Sequence, residues 1–152
     1  MTQTKTILIT GASRGIGLLT AKELAARGHR VYAGMRDLAN RNARVAEDLR
    51  QAEVAGTLIP VDLDVTDETG ILRLVAEIEA QHPIDVLINN AGIMPVGVTE
   101  AFTQSQSEAV FDVNVYGIMR MCRAVLPAMR ARKNGLVISL SSSAGRFGMP
   151  FF

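Results

Sequence analysis

A chain of 152 residues fits one domain with a sizeable buried core, and a second domain is not expected. Its 16 Lys and Arg against 15 Asp and Glu leave a net charge of +1, and no basic block follows a phosphate backbone or an anionic membrane, so nucleic acid is excluded as the expected partner. Cys122 is the only cysteine, which rules out an internal disulfide; with an opening apolar run too short for a secretory core or a membrane span, a soluble, cytoplasmic protein is expected.

Short strands and longer helices alternate along the chain. Residues 5–10 (KTILIT) read as a first strand, continuously apolar as strands covered on both faces are. Glycines follow at once, and a helix is expected over 15–27, with Ile16, Leu19 and Leu24 as apolar positions and Gly28 as its stop. A second strand (30–34) precedes a polar helix over 39–51 that carries Val45 and Leu49. The third strand, 57–63, leads to a helix over 67–81 with Ile71, Leu74, Val75 and Ile78 at helical spacing. A fourth strand (84–89), a long helix (107–132) and a fifth strand (136–140) complete the pattern. Pro127, inside the long helix, predicts a kink or an early end. Strand alternating with helix requires crossovers, hence a parallel sheet with helices on both faces. The expected fold is a Rossmann-like, doubly wound α/β sheet of strand order 3-2-1-4-5, whose ligand lies beyond the carboxyl ends of the strands where the order reverses.

The stretch TGASRGIG sets Gly11, Gly15 and Gly17 between the first strand and the first helix. Glycines there let the backbone approach a pyrophosphate, whose charge is received by amide groups and the positive end of the helix dipole. A tight turn that binds nothing is the alternative. The tip of the second strand chooses the dinucleotide: an acidic residue takes the ribose hydroxyls of NAD, whereas arginine favours the 2′-phosphate of NADP. Here Met35 sits at the tip and Arg36 follows, so Arg36 with Arg14 can form a planar, multiple-donor clamp, and NADP(H) is expected before NAD(H). Asp37 reads as a cap for the next helix. A methyltransferase binding S-adenosylmethionine also uses a glycine turn, but it wants an acidic residue where Met35 and Arg36 stand.

Four further stretches occur in order: LDVTD, NNAG, VNVYG and SLSSSAG. Together with TGASRGIG they make the whole chain resemble the short-chain dehydrogenase/reductase family, in look nearest to its hydroxysteroid and retinol dehydrogenase branch. The resemblance implies that Gly11, Ser13, Arg14, Gly15, Ile16 and Gly17 hold the cofactor phosphates and ribose, that Asp64 and Val65 border the adenine, and that Asn90, Ala91 and Gly92 line the next stretch. It implies no metal. Asn114 corresponds to the family's asparagine that supports a proton-relay water, and Ser142 to its substrate-orienting serine, with Ser141 and Ser143 one place away. Asp64 could equally cap the following helix, and Asn89 and Asn90 could simply bridge strands.

In the family, the proton donor is a tyrosine assisted by a lysine one helical turn later, after a short loop that GRFGMPFF resembles. Tyr32 and Tyr116 do not match that motif, and no lysine follows Lys133. Two expectations follow: the chain is the front part of an NADP(H)-dependent oxidoreductase acting on a small lipophilic carbonyl or alcohol and catalytically incomplete alone, or it is a non-catalytic dinucleotide-binding or partner-binding protein. The resemblance also implies a homo-oligomer when full length, paired through the long helix, with Ile118, Met119, Met121, Cys122 and Leu126 as its available apolar surface.

Overall fold

A computed structural model describes residues 3–52, 54 and 56–147. Gly148 to Phe152, the greater part of the loop expected to lead to a tyrosine, lie outside the described residues. Five strands, β1 (Thr6–Ile9), β2 (Arg30–Met35), β3 (Thr57–Asp62), β4 (Val86–Asn89) and β5 (Leu136–Ser139), pair throughout in parallel in the order β3-β2-β1-β4-β5. Helices α1 (Gly15–Ala26), α2 (Ala43–Arg50), α3 (Glu68–Gln81), α4 (Gln104–Phe111) and α5 (Gly117–Arg132) supply the crossovers. The expected doubly wound sheet is thus observed, with its order reversing between β1 and β4.

Alternation within each strand builds two cores. Leu8, Tyr32 and Leu87 pack with Ile71, Val75 and Ile78 of α3 and Met121, Val125 and Met129 of α5. On the other face Ile7, Ile9, Val31, Ala33 and Ile88 meet Ala21 and Ala25 of α1 and Leu49 of α2. The central strands β1, β2 and β4 are apolar on both sides because helices cover both.

Four expectations require correction. Two of the three apolar positions read for α1 are not on its buried face: Ile16 and Leu19 are 65% and 69% exposed, whereas Leu24 packs partly buried against the core beside the buried Gly17, Ala21 and Ala25. Small residues let α1 approach the sheet more closely than leucines would. Secondly, α2 begins at Ala43, four residues after the predicted start, and the side chain of its N-cap Asn42 makes no capping hydrogen bond. Asp37 caps no helix; its left-handed backbone (φ 54) starts a separate turn.

The third concerns the predicted helix over 107–132. It begins earlier, at α4, where Thr103 and Gln106 form a reciprocal capping box, and then passes through a π-helical turn at Asp112–Tyr116. Pro127 does not end α5, which continues to Arg132. Burial of Met121, Val125 and Met129 along one stripe holds this helix on the sheet. Met121 is therefore core rather than available surface, although Met119 and Leu126 are exposed. Fourthly, β5 is not covered on both faces among the described residues: it pairs only with β4, and Leu136, Ile138 and Leu140 are exposed. No described helix is long and apolar enough to cross a membrane.

Candidate functional site

The turn after β1 is shaped by close approach. Gly11 has φ +70, and a Cβ on it would lie 2.7 Å from Cα of Ala91; a Cβ on Gly17 would overlap the Asn90 amide and the Gly11 carbonyl oxygen. Asn90 ties this turn to the end of β4, its Nδ2 donating to the carbonyl oxygens of Thr10 (2.9 Å) and Gly11 (3.0 Å). The Thr10 hydroxyl in turn accepts from the backbone amides of Asn90 and Ala91, each at 3.0 Å. Asn90 does bridge strands, and in doing so fixes the glycine turn. No side chain caps α1, whose N-cap is Arg14. Its first-turn amides are consequently left to face an anion.

A cavity of about 450 Å³ opens at this point, beyond the carboxyl ends of the strands. Gly11, Ser13, Arg14, Gly15, Ile16 and Gly17 line it from the turn, Arg36 from the tip of β2, Asp64 and Val65 from beyond β3, and Asn90, Ala91 and Gly92 from beyond β4. The structure thus brings together around one cavity every residue that sequence reasoning named for the cofactor. It adds Met35, Arg41, Asn42, Leu63, Ile93 and Val113. Arg41 and Asn42 were hidden because residues 39–51 read as continuous helix; the turn that carries them back to the cavity is a tertiary feature.

The Asp64 carboxylate accepts from the backbone amide (2.9 Å) and hydroxyl (2.7 Å) of Thr66, which fixes the bend after β3. Its second oxygen is 3.9 Å from the Arg36 guanidinium. Capping of α3 falls instead to Asp67, which accepts from the Gly70 amide at 3.0 Å. Val65 is buried, and its carbonyl receives Arg120 Nη1 at 3.2 Å. The same Arg120 donates to the Asp112 carbonyl oxygen (3.3 Å) and carboxylate (2.6 Å), at the first residue of the π-helical turn.

Asn114 lies in that π-helical turn and grips the backbone after β4: its Oδ1 accepts from the Ile93 amide at 2.9 Å and its Nδ2 donates to the Ile93 carbonyl at 2.8 Å. It lines a second cavity of about 300 Å³, walled mainly by Ile93, Met94, Pro95, Phe102, Val110 and Phe111. Ile93 belongs to both cavities. Ser142 lines neither; it follows β5 at the same end of the sheet, its carbonyl receiving the Gly145 amide at 3.2 Å. Neither Tyr32 nor Tyr116 lines either of these two cavities. Tyr32 is 5% exposed in the core, its hydroxyl 2.9 Å from His82 Nδ1, and burial pushes that hydroxyl above its ordinary pKa. Tyr116 is half-exposed where the π-helical turn meets α5.

The model of the family described as short chain dehydrogenase matches residues 5–152. The 3-ketodihydrosphingosine reductase of Bacteroides thetaiotaomicron is 36% identical over 150 residues, covering 98% of this chain and 51% of its own. Human retinol dehydrogenase 8 is 37% identical over 153 residues, covering 97% of this chain and 47% of its own. Among solved structures, a short-chain dehydrogenase from Streptomyces avermitilis superposes with a TM-score of 0.88 at 34% identity, covering 99% of this chain and 54% of its own. A 3-oxoacyl-[acyl-carrier protein] reductase from Brucella melitensis with bound NAD (TM-score 0.86, 30% identity, 97% and 56% covered) is equally similar in fold. So is a gluconate 5-dehydrogenase from Burkholderia cenocepacia in complex with NADP and tartrate (TM-score 0.86, 30% identity, 99% and 58% covered). The chain spans about half the length of the curated relatives it matches.

Proposed function

The chain belongs to the short chain dehydrogenase family, and on that premise we propose that it is the dinucleotide-binding domain of an NADP(H)-dependent oxidoreductase that moves a hydride between the nicotinamide and a carbonyl or secondary alcohol. One observation carries this reading: the glycine turn, Arg14, Arg36, Asp64 and the Asn90–Gly92 segment converge on a single cavity at the point where strand order reverses. The cradle fits a dinucleotide, because the backbone at Gly11 and Gly17 leaves no space for side chains and presents α1's first-turn amides. What the bound cofactor supplies is the hydride.

The remaining tasks fall to the protein. The amides of the turn and Ser13 hold the pyrophosphate and ribose, and Asp64 and Val65 flank the adenine. Asn114 fixes Ile93, and with it the wall shared by the two cavities. Ser142 orients the substrate oxygen. A small lipophilic carbonyl or alcohol is the proposed substrate, supported by the apolar walls of the second cavity. The whole protein is proposed to be cytoplasmic and to pair through α5, where Met119 and Leu126 are exposed.

Fluorescence titration tests the cofactor. NADPH is expected to bind more tightly than NADH, and Arg36→Ala to weaken NADPH by about tenfold or more, since charge-assisted bonds contribute about 1.5–3 kcal/mol. Tighter NADH binding, or an unchanged Arg36→Ala variant, refutes the assignment.

A non-catalytic binding protein is the second reading, favoured by the placement of Tyr32 in the core and Tyr116 away from both cavities. The 152 residues alone are expected to bind NADPH without oxidising it when a ketone is added, because neither Tyr32 nor Tyr116 stands at the two cavities to give the proton. Turnover that survives repurification and is lost in Ser142→Ala overturns that expectation.

A further inference from the structure

The turn between β2 and α2 is closed on itself by a set of bonds centred on Asp37. Its carboxylate accepts from Asn40 Nδ2 at 2.8 Å through one oxygen and from the Arg41 amide at 3.3 Å through the other. Its own amide donates to Asp62 at 3.0 Å, and its carbonyl receives the Asn42 amide at 3.1 Å. The Asn42 side chain donates to the Arg36 carbonyl. All of this occurs at a residue with φ 54, a left-handed conformation that aspartate tolerates better than most side chains. The hydrogen bonds from Asn40 and Arg41 hold the Asp37 carboxyl below its ordinary pKa, so it is ionised throughout the neutral range.

This closure has two consequences for the cavity. It folds residue 41 back, so that Arg41 lines the same cavity as Arg14 and Arg36. It also engages both carboxylate oxygens of Asp37, two residues beyond Met35 at the tip of β2. Three arginines then line a cavity whose one lining carboxylate, Asp64, makes a half-exposed 3.9 Å pairing with Arg36. An exposed pair of that kind contributes about 0–1 kcal/mol and yields readily to a phosphate dianion.

We propose that Arg41 is a specificity-determining residue that grips the 2′-phosphate together with Arg14 and Arg36, and that Asp37 is the positioning residue that brings it there while withholding its own carboxylate from the ribose. The inference rests on the NADP(H) reading above and adds to it a third cation and the device that places it. Arg41 reaches the site through a turn, so its role is independent of the strand-tip position that ordinarily separates the two dinucleotides.

Calorimetric titration of the protein with 2′,5′-ADP and with 5′-AMP separates the possibilities. The wild type is expected to prefer 2′,5′-ADP. Arg41→Gln, an exposed and structurally mild change, should lower 2′,5′-ADP affinity about tenfold and leave 5′-AMP unchanged, with a salt dependence shallower by about one charge. Asp37→Ala should lose the same selectivity through the turn, and Asp37→Asn should recover most of it, since asparagine tolerates the left-handed backbone and still offers one acceptor. A wild type without preference for 2′,5′-ADP refutes the NADP(H) reading itself, and this proposal with it. A wild type with the preference and an Arg41→Gln variant that retains it, or that weakens both ligands equally, overturns the proposal alone.

Discussion

Gly17→Ala is expected to destabilise the protein by about 3 kcal/mol and to weaken dinucleotide binding by roughly 100-fold. The added methyl would overlap the Asn90 side-chain amide on one side and the Gly11 carbonyl oxygen on the other. Neither can retreat cheaply. Asn90 Nδ2 is held by the Thr10 and Gly11 carbonyls, and Gly11 is itself pressed against Ala91. Relief must come from moving α1 away from the sheet or breaking the tie between β1 and β4, and either opens the cavity. A loss of that size corresponds to a fall in Tm of roughly 6–12 °C for a chain of this length. Gly15→Ala is the internal control. Nothing lies within 4 Å of a Cβ there, and only its φ of +56 opposes the substitution. Its expected cost is about 1 kcal/mol of backbone strain. Thermal unfolding of the two variants reads the difference, and equal losses would show that strain in the turn, not close approach, makes glycine necessary at position 17.

The sheet was legible because its signal is local and repetitive: five short apolar runs, each bracketed by helix or turn residues, leave few ways to pair. The residues that line the cavity were legible for a related reason, since glycines after a strand have a direct backbone meaning. What escaped depended on partners distant in sequence. Leu19 in α1 looks like a core residue by spacing, yet the sheet is met by Gly17, Ala21 and Ala25, and the approach of Asn90 and Gly11 explains why only glycine fits at position 17. Asp37 carries the signature of a helix cap, and no local pattern distinguishes that from a turn that delivers Arg41 to the cavity. The π-helical turn was invisible for the same reason. Its hints were Asn114 in mid-helix and Gly117, where a Cβ would come within 2.9 Å of the Val65 side chain. Gly117 becomes meaningful only once the segment after β3 is seen to press against this helix, and Asn114 only once the segment after β4 is seen beside it.

Arg120→Met should cost about 2 kcal/mol of stability and about tenfold in dinucleotide affinity, although Arg120 lines neither cavity. Its guanidinium joins three acceptors: the Val65 carbonyl, the Asp112 carbonyl and the Asp112 carboxylate at 2.6 Å. Methionine preserves much of the packing stem while removing every donor. With side-chain exposures of 20% and 38%, the ion pair is partly screened, so the expected cost is below that of breaking a fully buried pair. Most of it comes from leaving the Val65 carbonyl without its charged donor and the π-helical turn without its brace. Val65 lines the cavity from beyond β3, while Asn114, two residues after Asp112, holds Ile93 in the wall from beyond β4. One side chain therefore sets the separation of two walls. Amide hydrogen exchange provides the discriminating measurement. In Arg120→Met the amides of residues 112–117 and of Ile93 should exchange faster, whereas those of Leu8 and Val31 in the central strands should slow or quicken only with global stability. Arg120→Lys should fall between, because a single ammonium cannot span acceptors on two segments as a planar fork can. Wild-type exchange at Ile93 together with wild-type NADPH affinity in Arg120→Met would show that the helix holds Asn114 in place without help from Arg120.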